Sequence, residues 1–250
     1  MRDCGEKFTT EARRTQRNST ENGFSYQGPM AGYLILGAGK FGRLALKRLA
    51  RLDRGAQFLV VDRDPQALTA IRAMAMESLQ VVEADVITFL AANLRDAAPW
   101  DWLIPMVPVH VAYAWLRQGP PEGDTRQTLE VPEIPEIPGL MVQRGGQGEL
   151  YLSCGHLCPD DCPEPDTVCP VSGESRSVAL YDRLAALEIP GFRVLVVPSL
   201  SLAPGVGGYP PGSLRHLAEQ LLAMEGKVLI ATACRCHGVI HGLEIQGEPR

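Results

Sequence analysis

The chain has 250 residues and a net charge of −5 at pH 7, and 45% of its residues are hydrophobic. This length suits one large α/β domain or two small ones, and the negative charge argues against a nucleic-acid-binding surface. No apolar run approaches the roughly 18 residues that a transmembrane helix needs, and the N-terminus lacks the apolar core of a signal peptide. We therefore expect a cytoplasmic protein that neither binds nucleic acid nor spans a membrane.

Residues 1–29 are polar and basic and show little periodicity. This composition predicts a disordered leader. Met30 stands directly before the first predicted strand, so one hypothesis is that the natural protein starts there and that the leader is a mis-assigned extension. Cys4 is set aside from the functional residues for the same reason.

A glycine turn follows the first predicted strand. The apolar run 33–36 suits a buried central strand of a parallel sheet. Gly37, Gly39 and Gly42 then match the pattern G-x-G-x-x-G. In that pattern the first glycine permits a tight turn, the second lets the backbone approach a pyrophosphate, and the third lets the helix pack on the strand. The free N–H groups at the start of the helix would bind the anion, which predicts a dinucleotide site.

A second apolar strand supports this interpretation. It spans 57–61 and leads into Asp62, which lies 20 residues after Gly42, where the acid that binds the adenosine ribose is expected. A carboxylate there favours NAD(H) over NADP(H), because it would repel a 2′-phosphate, although Arg63 beside it softens that discrimination. The alternative is a Rossmann half that keeps its glycines only for the turn.

Strands and helices alternate on both sides of a Pro- and Cys-rich segment. Asp64 and Pro65 predict the start of the second helix, as N-cap and first helical residue. Asp85 follows the third strand and is expected at the edge of the nucleotide site. The pattern predicts a doubly wound α/β fold, Rossmann-like, with about six parallel strands in the order 3-2-1-4-5-6 and the Pro/Cys-rich segment inserted between strands four and five. The six strands are expected at 33–36, 57–61, 79–82, 102–106, 192–197 and 227–232.

Four segments follow from this division. Residues 1–29 are the leader, 30–118 the nucleotide-binding half, 119–173 a Pro-rich linker with a cysteine-rich metal-binding insertion, and 174–250 a second α/β half. Within the insertion, the prolines of 119–139 favour an extended polyproline II spacer. The segments 140–144 and 149–153 flank a Gly-rich turn and predict a hairpin.

The cysteines predict a metal site. The insertion carries four with the spacing C-x3-C-x3-C-x6-C, and two more follow the sixth strand, where ligand sites of such sheets collect. The expected ligands are Cys154, Cys158, Cys162, Cys169, Cys234 and Cys236. Thiolates suit an iron–sulfur cluster or zinc, and reduced cysteines without metal are the third alternative. If the chain is extended at Cys234 and Cys236, both point the same way and either complete the site or form a redox pair. His237 and His241 are separate candidates, each with a purely structural alternative.

The segment 33–117 resembles the nucleotide-binding half of RCK/Trk-type potassium-transport regulators. The opening Tyr-Leu-Ile-Leu-Gly-Ala-Gly-Lys-Phe-Gly-Arg and the run Leu-Val-Val-Asp-Arg-Asp at 59–64 carry the resemblance. Glu83-Ala84-Asp85 lies where the family has Gly-Asp. The resemblance implies NAD(H) contacts from Gly37, Gly39, Gly42, Asp62 and Asp85, and it implies a homo-oligomer or a membrane-transport partner. With the neighbouring residues of the turn and the second strand, the expected cofactor-binding set is Gly37, Lys40, Phe41, Gly39, Gly42, Asp62, Arg63 and Asp85.

Two classes of function are consistent with these features. The first is a cytoplasmic NAD(H)-binding sensor or regulator of redox or nucleotide state with a cysteine-ligated metal, as in an RCK/Trk-like protein. The second is an NAD-dependent oxidoreductase that uses an iron–sulfur or zinc site. No acid–base pair stands out near a hydride position, so the catalytic residues are unknown and the sequence leaves enzymatic activity open.

Overall fold

The computed structural model describes residues 31–94, 98–118 and 126–246. The predictions for the leader, Met30 and Cys4 lie outside these residues. The first half contains β1 (Gly32–Leu36), α1 (Lys40–Leu52), β2 (Gln57–Asp62), α2 (Pro65–Arg72), β3 (Leu79–Glu83), α3 (Val86–Asn93), β4 (Trp102–Pro105) and α4 (Val111–Arg117). The second half contains β5 (Arg126–Leu129), β6 (Leu140–Arg144), β7 (Leu150–Cys154), α5 (Leu180–Ala185), β8 (Phe192–Pro198), β9 (Leu200–Ala203), β10 (Val206–Gly208), α6 (Pro211–Leu222), β11 (Gly226–Ala233) and β12 (Gly238–Ile245).

The first four strands form a parallel sheet in the order β3-β2-β1-β4. This confirms the Rossmann-like α/β class and the predicted order of the first four strands. The reversal of strand order lies between β1 and β4, beside the glycine turn, where a ligand crevice opens in folds of this kind. Helix α2 begins where predicted, because the Asp64 side chain accepts a hydrogen bond from the backbone N–H of Gln66 and Pro65 is the first helical residue.

The predicted fifth and sixth strands do not continue this sheet. They correspond to β8 and β11, which pair with each other in parallel within a second sheet. The free edge of β4 is instead occupied by the β9–β10 hairpin, through reciprocal backbone hydrogen bonds between Leu103 and Tyr209. The six-stranded order 3-2-1-4-5-6 is therefore wrong beyond the fourth strand.

The second sheet is mostly antiparallel and has the order β6-β7-β12-β11-β8, with β5 also paired to β12. Strand β12 was not predicted, and it joins both β5 and β7 to the rest of the sheet. The β6–β7 hairpin lies where the sequence predicts it. The Pro-rich stretch before it packs against the second sheet, because Val131 and Ile137 are buried in the core.

Three apolar clusters hold these layers together. One lies between the sheets and joins β1 and β4 to α4, α6 and β11. The second covers the other face of the parallel sheet with α1, α2 and the β9–β10 hairpin, and the third covers the other face of the second sheet with α5. Burial of each Leu or Ile side chain in these clusters stabilises the folded state by about 1.5–3 kcal/mol. Among the described residues, no helix has the length and apolarity needed to cross a membrane.

Candidate functional site

The glycine turn has the geometry that a pyrophosphate site requires. Gly37 has a φ of 112°, and a Cβ there would lie 2.6 Å from the backbone oxygen of Met106. A Cβ on Gly42 would collide with the carbonyl oxygen of Gly37. A Cβ on Gly39 would meet nothing within 4 Å, so open space lies beside its backbone. Two glycines thus bring strand and helix together, and the third leaves room for a ligand.

The first turn of α1 is open to an anion. Gly39 is its N-cap, and the turn contains neither a capping side chain nor an acidic residue. The backbone N–H groups there are consequently not neutralised by a carboxylate of the helix. Lys40 and Phe41, both in the predicted set, are exposed beside this turn.

Asp62 lies at the end of β2 and is tied to the glycine turn. Its Oδ2 accepts a hydrogen bond of 2.6 Å from the backbone N–H of Ala38, and its Oδ1 accepts one of 2.9 Å from Asp64. These bonds place the carboxylate beside the turn, where a ribose would lie. Arg63 next to it is exposed.

Asp85 has a structural task. Its side chain accepts hydrogen bonds from the backbone N–H groups of Ile87 and Thr88 and thereby caps α3. The bond from the Thr88 backbone is the main reason why the pKa of Asp85 is lowered, and the charge of Arg63 adds to this effect. The carboxylate is ionised and already occupied as a cap.

Two segments far apart in sequence bring Cys and His side chains together. Cys154 ends β7, and its Sγ lies 3.4 Å from the Sγ of Cys158 and 3.3 Å from the Nε2 of His237. The other ring nitrogen of His237, Nδ1, lies 3.8 Å from the Sγ of Cys234. Two groups with metal-binding potential result, Cys154–Cys158–His237 and Cys234–Cys236–His237, and His237 belongs to both.

The second of these groups sits in a tight turn. Residues 234–237 connect β11 to β12, and the backbone N–H of Cys234 donates to the carbonyl oxygen of His237. The chain is therefore not extended at Cys234 and Cys236, contrary to one premise of the sequence analysis. The turn brings His237 into the group instead.

The donor distances suit one metal ion. Ligands about 2.3 Å from a tetrahedral centre lie roughly 3.7 Å apart, and the Sγ of Cys154 lies 3.4 Å from the Sγ of Cys158 and 3.3 Å from the Nε2 of His237. Soft sulfur donors combined with imidazole are the set that zinc prefers. In a [4Fe–4S] cluster each thiolate binds a different iron, which would keep the sulfurs farther apart. The residues present therefore fit a mononuclear thiolate–imidazole site.

The remaining two predicted ligands lie to the sides of these groups. Cys162 lines a cavity together with Cys158. The Sγ of Cys169 is buried and lies 3.4 Å from the Nε2 of His156 and 2.9 Å from a guanidinium nitrogen of Arg176. The other terminal nitrogen of Arg176, Nη1, is buried without a hydrogen-bond partner among the described residues.

The thiols differ in their readiness to ionise. Burial and a hydrogen bond with Cys154 raise the pKa of Cys158 to about 12. Burial opposes ionisation of Cys169 too, but hydrogen bonds from Ser172 and the charge of Arg176 lower its pKa to about 6. A hydrogen bond to Cys234 raises the pKa of His237. A bound cation would lower the pKa of Cys158 instead, because metal binding deprotonates a coordinating thiol.

The cysteine loop is docked on helix α1. Within this loop, which we define as residues 158–162, the Asp160 carboxylate lies 2.6 Å from the Nζ of Lys40. The Nη1 of Arg48 donates to the carbonyl oxygens of Asp160 and Pro204. The backbone N–H of Gly205 donates to the carbonyl oxygen of Cys162. The loop thus contacts α1 within its first turn and again two turns later.

A cavity of about 390 Å³ lies between the end of β4 and the cysteines. His110 on its wall is buried, and its Nδ1 lies 3.0 Å from the Nδ1 of His241. Its Nε2 lies 2.9 Å from the Thr232 hydroxyl. The ring of Tyr113 stacks on that of His241 with a centroid distance of 4.1 Å.

Sequence reasoning missed several of these residues. The predicted metal set omits His237 and His156, although the adjacent Cys-x-Cys-His signal could have added the first. Arg176 and the pair His110–His241 had no local signal, since the two histidines lie 131 positions apart.

Comparisons with known proteins divide the chain at the end of the parallel sheet. Residues 33–99 match the TrkA-N domain, and residues 106–246 match the family described as "Uncharacterized protein, C-terminal domain". An "Uncharacterized protein" of Archaeoglobus fulgidus is 30% identical over 227 residues, which cover 84% of this chain and 98% of the relative. No solved structure matches the chain significantly.

Proposed function

We propose that this chain is an NAD(H)-binding regulator that senses nucleotide or redox state through a cysteine-ligated metal. The chain belongs to the family described as "Uncharacterized protein, C-terminal domain", and it carries a TrkA-N domain before the part that this family covers. The TrkA-N domain supports the nucleotide-binding, RCK/Trk-like character. The Cys and His groups are compatible with metal binding.

The glycine turn and Asp62 support NAD(H) as the nucleotide. The pyrophosphate would lie over the open backbone of Gly39 at the start of α1, and the adenosine ribose would lie against Asp62. We propose direct contacts from Gly37, Gly39 and Gly42, together with Lys40, Phe41 and Arg63 at the rim. Asp85 is better explained as the cap of α3.

We propose zinc rather than an iron–sulfur cluster as the metal. The short distances between donor atoms and the imidazole of His237 both support this choice. Cys154, Cys158 and the Nε2 of His237 would hold the ion, and Cys234 beside the other ring nitrogen, Nδ1, would orient the imidazole. The nearby guanidinium of Arg176 would offset the negative charge of the thiolates. When bound, zinc would supply a structural link between the two segments.

The docking of the cysteine loop on α1 is the observation that carries the sensor proposal. Lys40 lies in the first turn of the nucleotide helix and is paired with Asp160 of the loop. A pyrophosphate at this turn would attract Lys40 and repel the Asp160 carboxylate. Nucleotide binding would thus weaken the hold on the cysteine loop, and the metal site would respond.

The cavity favours a second candidate, an NAD-dependent oxidoreductase. The cavity lies where the nicotinamide half of a dinucleotide would point, because its lining includes Met106, which follows β4. From there the cavity extends to the cysteines. The His110–His241 pair supplies the acid–base group that the sequence does not reveal. We rank this candidate second because neither histidine has a place in the glycine pattern or in the metal groups.

Two measurements test the proposed function. Metal analysis of the purified protein should find about one zinc per chain and no iron, and the protein should be colourless. Calorimetric titration with NADH should show binding that Asp62→Ala weakens about tenfold or more, because the ribose loses a charged acceptor. Asp64→Ala is the matched control, since Asp64 caps α2 and faces its own helix. Titration without heat for any adenine dinucleotide would overturn the nucleotide part of the proposal.

A cytoplasmic location remains a prediction from the composition, and a homo-oligomer and a membrane-transport partner remain predictions based on the resemblance to RCK/Trk-type regulators. A potassium-gating role is the most specific form of this proposal. Size-exclusion chromatography with light scattering would test the oligomer directly.

A further inference from the structure

We propose that the cavity between β4 and the cysteines is a second ligand site, which binds an uncharged, largely apolar group through a carbonyl or hydroxyl oxygen held by the Thr232 hydroxyl, which His110 orients. The proposal goes beyond nucleotide and metal binding, and the cavity borders the metal groups through Cys158, Cys234, Cys236 and His237. The proposal rests on how the cavity is lined and on the buried histidine pair at its wall.

The walls of the cavity select against charge. Apolar side chains from several elements line it, among them Val107, Val111, Val206 and Val239. Among the described lining residues there is a carboxylate, Glu164, but no Lys or Arg. An anionic ligand would therefore find no Lys or Arg side chain there, and the Glu164 carboxylate would repel it.

Two of the polar lining groups, His110 and Thr232, are bonded to each other at the buried wall. His110 is buried and lines the cavity with Thr232, its hydrogen-bonding partner. His241 fixes the imidazole from the other side through Nδ1. A side chain held by both ring nitrogens has a defined orientation, as expected of a group that positions a ligand. The Thr232 hydroxyl can donate to a ligand oxygen while it accepts from the imidazole, or can act in the reverse sense.

The volume suits a small ligand. About 390 Å³ lies near the lower end of the range for small-molecule pockets, roughly 300–1,000 Å³. Two sources offer the required chemistry. One is a separate small alcohol or ketone, and the other is the carboxamide-bearing nicotinamide ring of the dinucleotide, which would point from the glycine turn toward this side of the sheet. The second source depends on the proposed NAD(H) site, and the first does not.

Binding of simple probes tests the site. We expect cyclohexanone and cyclohexanol to bind the zinc-loaded full chain in saturation-transfer NMR, and cyclohexanecarboxylate not to bind. Titration with either neutral probe should shift the imidazole signals of His110. Thr232→Val should weaken binding about tenfold, because one hydrogen bond to the ligand oxygen is lost, whereas Thr232→Ser should retain it.

Two further measurements distinguish the nicotinamide ring from a separate small molecule as the ligand. If the nicotinamide ring occupies the cavity, Thr232→Val lowers the affinity for NADH and leaves that for ADP-ribose unchanged. If the ligand is a separate molecule, both nucleotides bind the variant normally and only cyclohexanone binding falls. ADP-ribose binding also reports that the variant is folded and that the nucleotide site is intact.

The proposal is overturned if Thr232→Val changes the affinity for neither cyclohexanone nor NADH, or if cyclohexanecarboxylate binds as well as cyclohexanone. A failure of NADH to bind the wild-type chain, with cyclohexanone binding preserved, would overturn the proposed nucleotide function and leave this site standing.

Discussion

Gly39 and Gly42 serve different purposes in the same turn. The position of Gly42 has no space for a side chain because the Gly37 carbonyl faces it, whereas Gly39 faces open space. The lack of a side chain at Gly42 is therefore needed for folding, whereas the lack of one at Gly39 leaves room for the ligand. Substitutions at these two positions should separate stability from binding.

Gly42→Ala should lower the free energy of unfolding by about 1–3 kcal/mol, since backbone atoms must move to admit the methyl group. Gly39→Ala should cost less than about 1 kcal/mol, which is the loss of a favourable N-cap residue, but should abolish NADH binding by blocking the pyrophosphate. Urea unfolding and calorimetry measure the two effects. Equal destabilisation by both variants would contradict this division of roles.

His110 should remain neutral through the physiological pH range. Burial lowers its pKa well below the usual value, and the neighbouring His241 lowers it further. The unfolded chain would take up a proton near pH 6.5 and the folded chain would not, so this contribution to stability is present above pH 6.5 and is lost as the pH falls.

The imidazole signals of His110 in a pH titration by NMR should therefore stay constant from pH 8 down to about pH 6, and those of the chain in urea should titrate near pH 6.5. A folded-state titration at or above that pH would show that the ring is not held in its neutral form.

Helix α1 illustrates how much of an element the sequence can predict. Its start, its place after β1 and the burial of Ala45 and Leu49 follow from local spacing, whereas Phe41 and Leu52 have the same spacing but are exposed. The start of α2 follows from Asp64 and Pro65. Strand β12 could not be recognised in this way, because its glycines and histidine hide the strand pattern. The docking of the cysteine loop on α1 depends on contacts between residues more than a hundred positions apart, which no local pattern encodes.

Arg48 should be the main anchor of this docking, because it donates to two backbone oxygens, whereas Lys40–Asp160 is an exposed ion pair. We expect Arg48→Ala to speed amide hydrogen exchange at Gly205, whose N–H donates to Cys162. Arg51→Ala, one turn away on the same helix, is the control. Unchanged exchange at Gly205 in the Arg48 variant would mean that the loop is held by other contacts.

The described part of the chain forms a parallel sheet, a mostly antiparallel sheet and the two-stranded β9–β10 hairpin, whereas the sequence predicted a single sheet. The order of the first four strands could be predicted, because the glycine motif identifies β1 and the helices that follow connect parallel strands by crossovers. Nothing in the strand sequences of β8 and β11 specifies which sheet they join, and the β9–β10 hairpin takes the edge of β4 that they were expected to use. The two cysteine groups were correctly expected near one another, but their meeting point at His237 depends on the turn after β11.

Removal of the metal should therefore destabilise the second sheet and its attached loop. Cys158→Ser should lose zinc and lower the free energy of unfolding, by about 4 kcal/mol when zinc exceeds its Kd about 1,000-fold. Cys162→Ser is the matched control, because Cys162 lies outside both ligand groups, and it should keep about one zinc per chain. Loss of zinc from the Cys162 variant would mean that the ligand set differs from the one proposed.

The central claim is that the nucleotide and the metal compete for the position of one loop. The affinity for zinc, measured by competition with a chromophoric chelator with and without saturating NADH, tests it most directly. We predict that NADH weakens zinc binding at least about fivefold, that Asp160→Asn removes this effect, and that Asp161→Asn preserves it. A zinc affinity that NADH leaves unchanged or increases would contradict the account.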